Sequence, residues 1–267
     1  MDSLIYLYGV IPTAEKEKQD IPAFKGIDEE HEVYTVSFGE ITAVVCNLDE
    51  REYGQEQLEK KTNNPTWLHE KAFHHHEVLM SLYAKYPIIP MKFCTIYASM
   101  DNLLTTLETH KQRMIEVLES IKGKEEWILK IYCDEDKVKE SVASYSDVIE
   151  LRKEEIAAMS PGRQYLEKKK LGQLIEQEAH KQKQAFGETI HQELADMSAN
   201  TEVKRNWNKD VTGRKEEMCW NSVYMLEKPK VDDFLKRVKA IQNEHGDDGW
   251  KLEVTGPWPS YHFSAIS

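Results

Sequence analysis

Hydrophobic positions along the chain fall into short continuous runs and helical stripes, separated by polar breaks marked with proline or glycine. Residues 4–11 (LIYLYGVI) are a run rich in β-favouring side chains that stops at Pro12, which predicts a buried strand. A polar excursion occupies residues 12–32. Residues 33–38 and 41–46 then flank Gly39-Glu40, and a two-residue loop with glycine first is the signature of a type II′ hairpin. Asn64-Pro65 supplies a cap and a first-turn proline. Beyond it Leu68, Ala72, His75 or His76, Leu79 and Leu82 or Tyr83 recur at helical spacing, predicting a helix to about Tyr86. Pro87 and Pro90 push their predecessors out of the helical region, so residues 87–95 read as extended. Leu103, Leu107, His110, Met114, Val117 or Leu118 and Ile121 mark a second amphipathic helix.

A charged, glycine-containing break at residues 121–126 precedes a new strand at 127–133, and places a domain boundary near residue 123. From Ser160-Pro161 onward, Leu166, Leu174, Ile175, Ala179, Phe186, Ile190, Leu194 and Met197 sustain a helical period over residues 160–198, with Gly172 and Gly187 as places for a bend or an interruption. Residues 200–217 are polar with a single aromatic and read as a loop or flexible insertion. Residues 218–226 predict a strand, 231–244 a helix stopped by Gly246, and 250–254 an alternating strand. The expectation is an α+β chain of two domains: an N-terminal α+β domain over 1–123, and a C-terminal domain over 124–267. The second is expected to follow a modified ferredoxin-like plan with an enlarged helical crossover, ending in a docking tail at 255–267.

The length of 267 residues allows two small domains, and a 40% hydrophobic content is enough to fill their cores. No run approaches the length of a membrane span, and the N-terminus lacks the layout of a secretory leader. The net charge is −12, and residues 1–121 carry 20 acidic against 11 basic groups, which argues against nucleic acid as a partner. Lys168-Lys169-Lys170 with Arg163, and Lys204 to Lys215 with Trp207 and Trp220, are interleaved with carboxylates and read as solvated faces. Cys46, Cys94, Cys133 and Cys219 are scattered without a Cys-x-x-Cys pair, as suits reduced thiols in the cytoplasm.

Candidate chemistry is sparse. In His74-His75-His76 adjacent rings diverge by about 100° on a helix and cannot converge on one ion. His69 and His76, two turns apart, share a face, but no acidic third ligand stands at metal-binding spacing, so no metal and no cofactor is expected. No nucleophile elbow, Ser-x-x-Lys pair or phosphate-cradling loop is present, and a non-enzymatic role follows. Ser160-Pro161-Gly162-Arg163 opens a helix, with Arg163 expected to pair with a carboxylate. The stretch 255–263 (TGPWPSYHF) places Trp258 between two prolines, followed by Tyr261 and Phe263, a costly composition for a free tail. It is expected to dock, either stapling the two domains or forming part of a partner surface.

These segments also carry a resemblance. LIYLYGVI (4–11), ITAVVC (41–46), WLHEKAFHHHEVL (67–79), IIPMKFCT (88–95), EWILKIY (126–132), SPGRQYL (160–166) and TGPWPSYHF (255–263) together resemble the GvpF/GvpL family of gas vesicle proteins over nearly the whole chain. At 92–95 Lys-Phe-Cys-Thr stands where Arg-Phe-Gly-Thr is usual, which fits the L-type branch of the family. The resemblance implies a non-enzymatic minor component or assembly factor that resides in the cytoplasm before assembly and in the gas vesicle afterwards. It also implies partners: the hydrophobic shell protein GvpA and other accessory Gvp proteins. Arg163, Trp258, Tyr261 and Phe263, in two of the matching segments, become candidate partner-binding or inter-domain residues. Two rival readings are a scaffold of accessory proteins that does not touch GvpA, and a metal-dependent enzyme using His69 and His76.

Overall fold

The structure, a computed structural model, describes residues 3–266. Met1, Asp2 and Ser267, where the expected domains begin and end, lie outside the described residues. Two compact units emerge: residues 1–126 together with 257–267, and residues 127–256.

The first unit is built on a five-stranded sheet. It contains β1 (Ser3–Pro12), α1 (Thr13–Lys16), β2 (Tyr34–Phe38), β3 (Ile41–Asp49), α2 (Glu50–Tyr53), α3 (Gln55–Thr62), α4 (Pro65–Tyr83), β4 (Ile89–Pro90), β5 (Ile96–Tyr97) and α5 (Met100–Ile121). Strand order is β2-β3-β1-β4, with β5 also paired to β1. The expected hairpin closes with Phe38 opposite Ile41 and with Gly39 at φ 61°, the positive value its first turn position requires. In β1 the register skips Tyr8 between Leu7 and Gly9. A Cβ on Gly9 would lie 2.8 Å from the Ile89 carbonyl oxygen, so glycine there lets β4 close onto β1. Helix α4 starts where Asn64 Oδ1 accepts from the Thr66 and Trp67 amides. It buries Val78, Leu79 and Leu82 against Tyr6, Tyr8, Val44, Cys46 and Leu48. Helix α5 lays Leu103, Leu107, Met114, Val117 and Ile121 along the same sheet, outside that cluster.

The second unit contains most of β6 (Lys124–Cys133), then α6 (Glu135–Tyr145), α7 (Asp147–Ala157), α8 (Pro161–Ala195), β7 (Asn200–Val203), α9 (Lys209–Thr212), β8 (Glu217–Glu227), α10 (Val231–His245) and most of β9 (Trp250–Trp258). Its sheet runs β7-β8-β6-β9. Leu129 and Ile131 of β6, Tyr224 and Leu226 of β8, and Trp250 of β9 form one core with Val138, Val142, Ile149, Ala179, Ile190, Leu194, Phe234 and Val238 from the helices.

Three expectations need correction. Residues 200–217 are not simply an insertion: 200–203 form β7, antiparallel to β8 with Asn200 opposite Met225. Its polar composition is that of an edge strand, where alternate side chains and one row of backbone groups face solvent. Helix α8 runs unbroken for 35 residues, roughly 50 Å, through both glycines that were expected to interrupt it. Gly187 serves contact instead, since a Cβ there would lie 2.4 Å from the Trp220 ring. The last strand extends beyond residue 254 to Trp258, and residues 257–267 group with the first unit rather than with the C-terminal half of the sequence. Pro257 is tolerated in it because β9 is an edge. Among the described residues no helix is long and apolar enough to cross a membrane.

Candidate functional site: a groove beside the C-terminal segment

The first unit carries a groove of about 590 Å³ whose floor is Ala72, His75 and His76 on α4. One wall is the proline-bracketed segment Ile89, Pro90, Met91, Lys92, Phe93 and Thr95; the other is Tyr261, Ser264, Ala265 and Ile266. Ile89 and Pro90 are extended and join the sheet as β4, but the segment does not stay extended to residue 95 as expected: Phe93 and Cys94 form a turn closed by the Thr95 amide donating to the Lys92 carbonyl at 3.2 Å, with Cys94 at φ 64°.

The second wall is fixed by side chains far away in sequence. Glu126 has no exposed surface, yet it is a carboxylate. Its two oxygens accept from the His262 backbone N–H at 2.9 Å and from His262 Nδ1 at 2.7 Å. Both bonds are needed, because a buried carboxylate stripped of donors costs several kcal/mol. Tyr261 stacks on His76 with ring centroids 6.4 Å apart, and its hydroxyl lies 3.1 Å from His76 Nδ1. Trp258 packs on the same imidazole at 5.6 Å. The Ser264 hydroxyl donates to the Ser260 carbonyl, closing a turn of two buried serines.

Beneath the groove the hydrogen bonding fixes one histidine tautomer. His75 Nε2–H donates to the Met91 carbonyl at 3.1 Å, so Nδ1 is free to accept from the Tyr6 hydroxyl at 2.8 Å. The Tyr6 oxygen in turn accepts from the Cys94 amide at 3.3 Å. Tyr8 stacks on the His75 ring at 5.5 Å. Burial pushes His75 down to about 4, keeping it neutral, and pushes the Tyr6 and Tyr8 phenols up. With both nitrogens engaged by protein groups, His75 has neither a proton nor a lone pair to offer a ligand.

Of the candidate residues, the structure brings Trp258 and Tyr261 together on His76, and places Phe263 on the same segment. Arg163 is elsewhere, exposed on the first turn of α8 in the second unit; among the described residues it has none of the carboxylate pairing expected for it. His69 is exposed, and among the described residues no three His, Cys, Asp or Glu side chains gather as a metal site. All four cysteines are free thiols. Sequence reading missed Glu126, His262, Tyr6 and Tyr8. The spacing of Tyr6 and Tyr8, two apart on a strand, signals a shared face, but nothing local in EEWILKIY announces a partner at residue 262.

Comparison with known proteins is consistent across the chain. The family model described as "Gas vesicle synthesis protein GvpL/GvpF" matches residues 4–265. Gas vesicle protein L of Streptomyces sp. (strain CB03234) is 22% identical over 86% of this chain and 82% of its own length. Gas vesicle protein F of Dolichospermum flosaquae is 23% identical over 91% and 90%. Crystal structures of GvpF from Anabaena sp. PCC7120 and Microcystis aeruginosa share the fold, with TM-scores of 0.74 and 0.68. Their sequence identities are 18% and 17%, and each alignment covers 99% of this chain and 99% or 100% of the other. With nearly every described residue inside the match, this chain belongs to the GvpL/GvpF family of gas vesicle synthesis proteins.

Proposed function

We propose that this protein is a non-enzymatic assembly factor that binds the hydrophobic shell protein GvpA, together with other accessory Gvp proteins, and limits shell-protein aggregation while vesicles nucleate. The observation that carries this reading is the groove: a concave surface lined mostly by Ile89, Pro90, Met91, Phe93, Tyr261, Ala265 and Ile266, with Lys92 and His76 as its polar members above the buried His75, on a chain of net charge −12. An apolar cleft can cover an apolar segment of a partner, and the strong surface charge keeps the resulting complex dissolved. In this reading Trp258 and Tyr261 hold one wall in place through His76 and Phe263 is a contact of lesser weight, while Arg163, on α8 in the second unit, is left to another partner. The protein acts in the cytoplasm before assembly and at the gas vesicle thereafter.

The second unit is read as a ferredoxin-like fold with its first crossover enlarged to α6, α7 and α8. The strand order β7-β8-β6-β9, with α10 between β8 and β9, supports that plan.

Co-expression with GvpA is the test. The soluble fraction of GvpA should rise and the two proteins should co-purify, and Met91→Glu, which places a charge in the groove, should reverse both. An unchanged soluble fraction without co-purification overturns the proposal.

A further inference from the structure

The three-helix crossover of the second unit ends in a hairpin that the groove does not explain. Helices α7 and α8 are joined by three residues, and the Gln164 side chain donates to the Ala157 and Met159 carbonyls across that turn. Arg152 on α7 bonds Glu167 on α8, so the turn holding Leu151 lies beside the turn holding Leu166. Inward, Ile149 and Ile156 are fully covered. Outward, Leu151 and Leu166 are each 62% exposed and Tyr165 is 80% exposed, with Val148 one turn before Leu151 also in solvent. Large apolar side chains clustered on adjacent exposed turns are uncommon in a monomer and mark an interaction surface.

Charge says what covers it. Although the chain is acidic, residues 161–172 contain Arg163, Lys168, Lys169 and Lys170 against a single carboxylate, Glu167. Glu167 is already held by Arg152 and Lys170. Among the described residues Arg163, Lys168 and Lys169 have no ion pair. An apolar strip bordered by unpaired cations is complementary to one kind of partner. We infer that the α7–α8 hairpin is a docking surface for an acidic amphipathic helix of another protein, its apolar stripe seated on Leu151, Tyr165 and Leu166 and its carboxylates on Arg163, Lys168 and Lys169. This is recognition of an amphipathic helix through its apolar stripe with electrostatic selection of the partner, and it shares no residue with the groove of the first unit.

The test uses the full chain and three probes. One is a synthetic helical peptide with leucines at i, i+3, i+4 and i+7 and glutamates on its polar flanks; the second is the same peptide with lysines; the third is phosphatidylglycerol vesicles. Fluorescence anisotropy should show saturable binding of the glutamate peptide, at least about tenfold tighter than the lysine peptide, weakening as salt rises. Leu151→Ser/Leu166→Ser and, independently, Lys168→Glu/Lys169→Glu should each weaken it by about tenfold or more, with unchanged circular dichroism. The inference is overturned by equal binding of the two peptides, by no binding of either, by both variants binding as wild type does, or by vesicles engaging these residues in preference to peptide. GvpA solubilisation measured on the same variants should stay at the wild-type level, which separates failure of this surface from failure of the groove.

Discussion

Two residues show how local conformation and burial set measurable quantities. Cys94 has φ 64°, a left-handed conformation that costs a side chain with a Cβ about 1–2 kcal/mol. It occupies the place where the GvpF/GvpL pattern usually has glycine, so that pattern has a backbone cause. Cys94→Gly is expected to stabilise the protein by about 0.5–1 kcal/mol, the relief being partly offset by glycine's freedom in the unfolded chain, as read from urea unfolding. His75 supplies a pH dependence. Its folded value is pushed down to about 4 from an ordinary 6.5, so between those limits the unfolded chain binds the proton more readily. The stability that neutral His75 supports is present above pH 6.5 and is lost as pH falls through 4, by about 3 kcal/mol in all. Unfolding monitored across pH 4–7 should show that slope, and His75→Gln should flatten it.

At the scale of elements, the long helix α8 separates two uses of glycine. A Cβ on Gly172 would meet nothing within 4 Å, whereas one on Gly187 would strike the Trp220 ring. Gly172→Ala is therefore expected to raise stability by about 1 kcal/mol through helix propensity alone. Gly187→Ala should lower it by about 1–3 kcal/mol, as overpacking forces α8 off β8, and thermal melts of the pair would show shifts of opposite sign. From sequence both glycines looked alike, because helical periodicity reports which face is apolar and not how closely another element approaches it. The same blindness hid β7: an exposed edge strand has no apolar alternation to read. The hairpin at Gly39, by contrast, was legible residue by residue, since turn chemistry is local. So was α4, for which Asn64-Pro65 marks the start.

For the molecule as a whole, the first unit is not contiguous in sequence: residues 257–267 complete it after 130 residues of the second. Removal of residues 257–267 should thus destabilise the first unit, because His76 loses the Trp258 and Tyr261 rings packed on it and Glu126 loses both hydrogen-bond donors together with its cover, at a cost of about 1–3 kcal/mol. Limited proteolysis of the N-terminal half, compared between the full and the truncated chain, reads the loss. A truncated chain as resistant as the full one would show that the tether contributes nothing. Family membership, the α+β character, the hairpin, helices α4, α5 and α8 and the docking character of TGPWPSYHF were legible in the sequence alone, because propensity, turn geometry and the burial demanded by a tryptophan act within a few residues. Which unit that segment joins, the one tautomer of His75 and the fact that Glu126 is covered by His262 were decided only by tertiary structure. They depend on groups 16 to 136 positions apart being brought within hydrogen-bond range, and no local pattern encodes such a meeting.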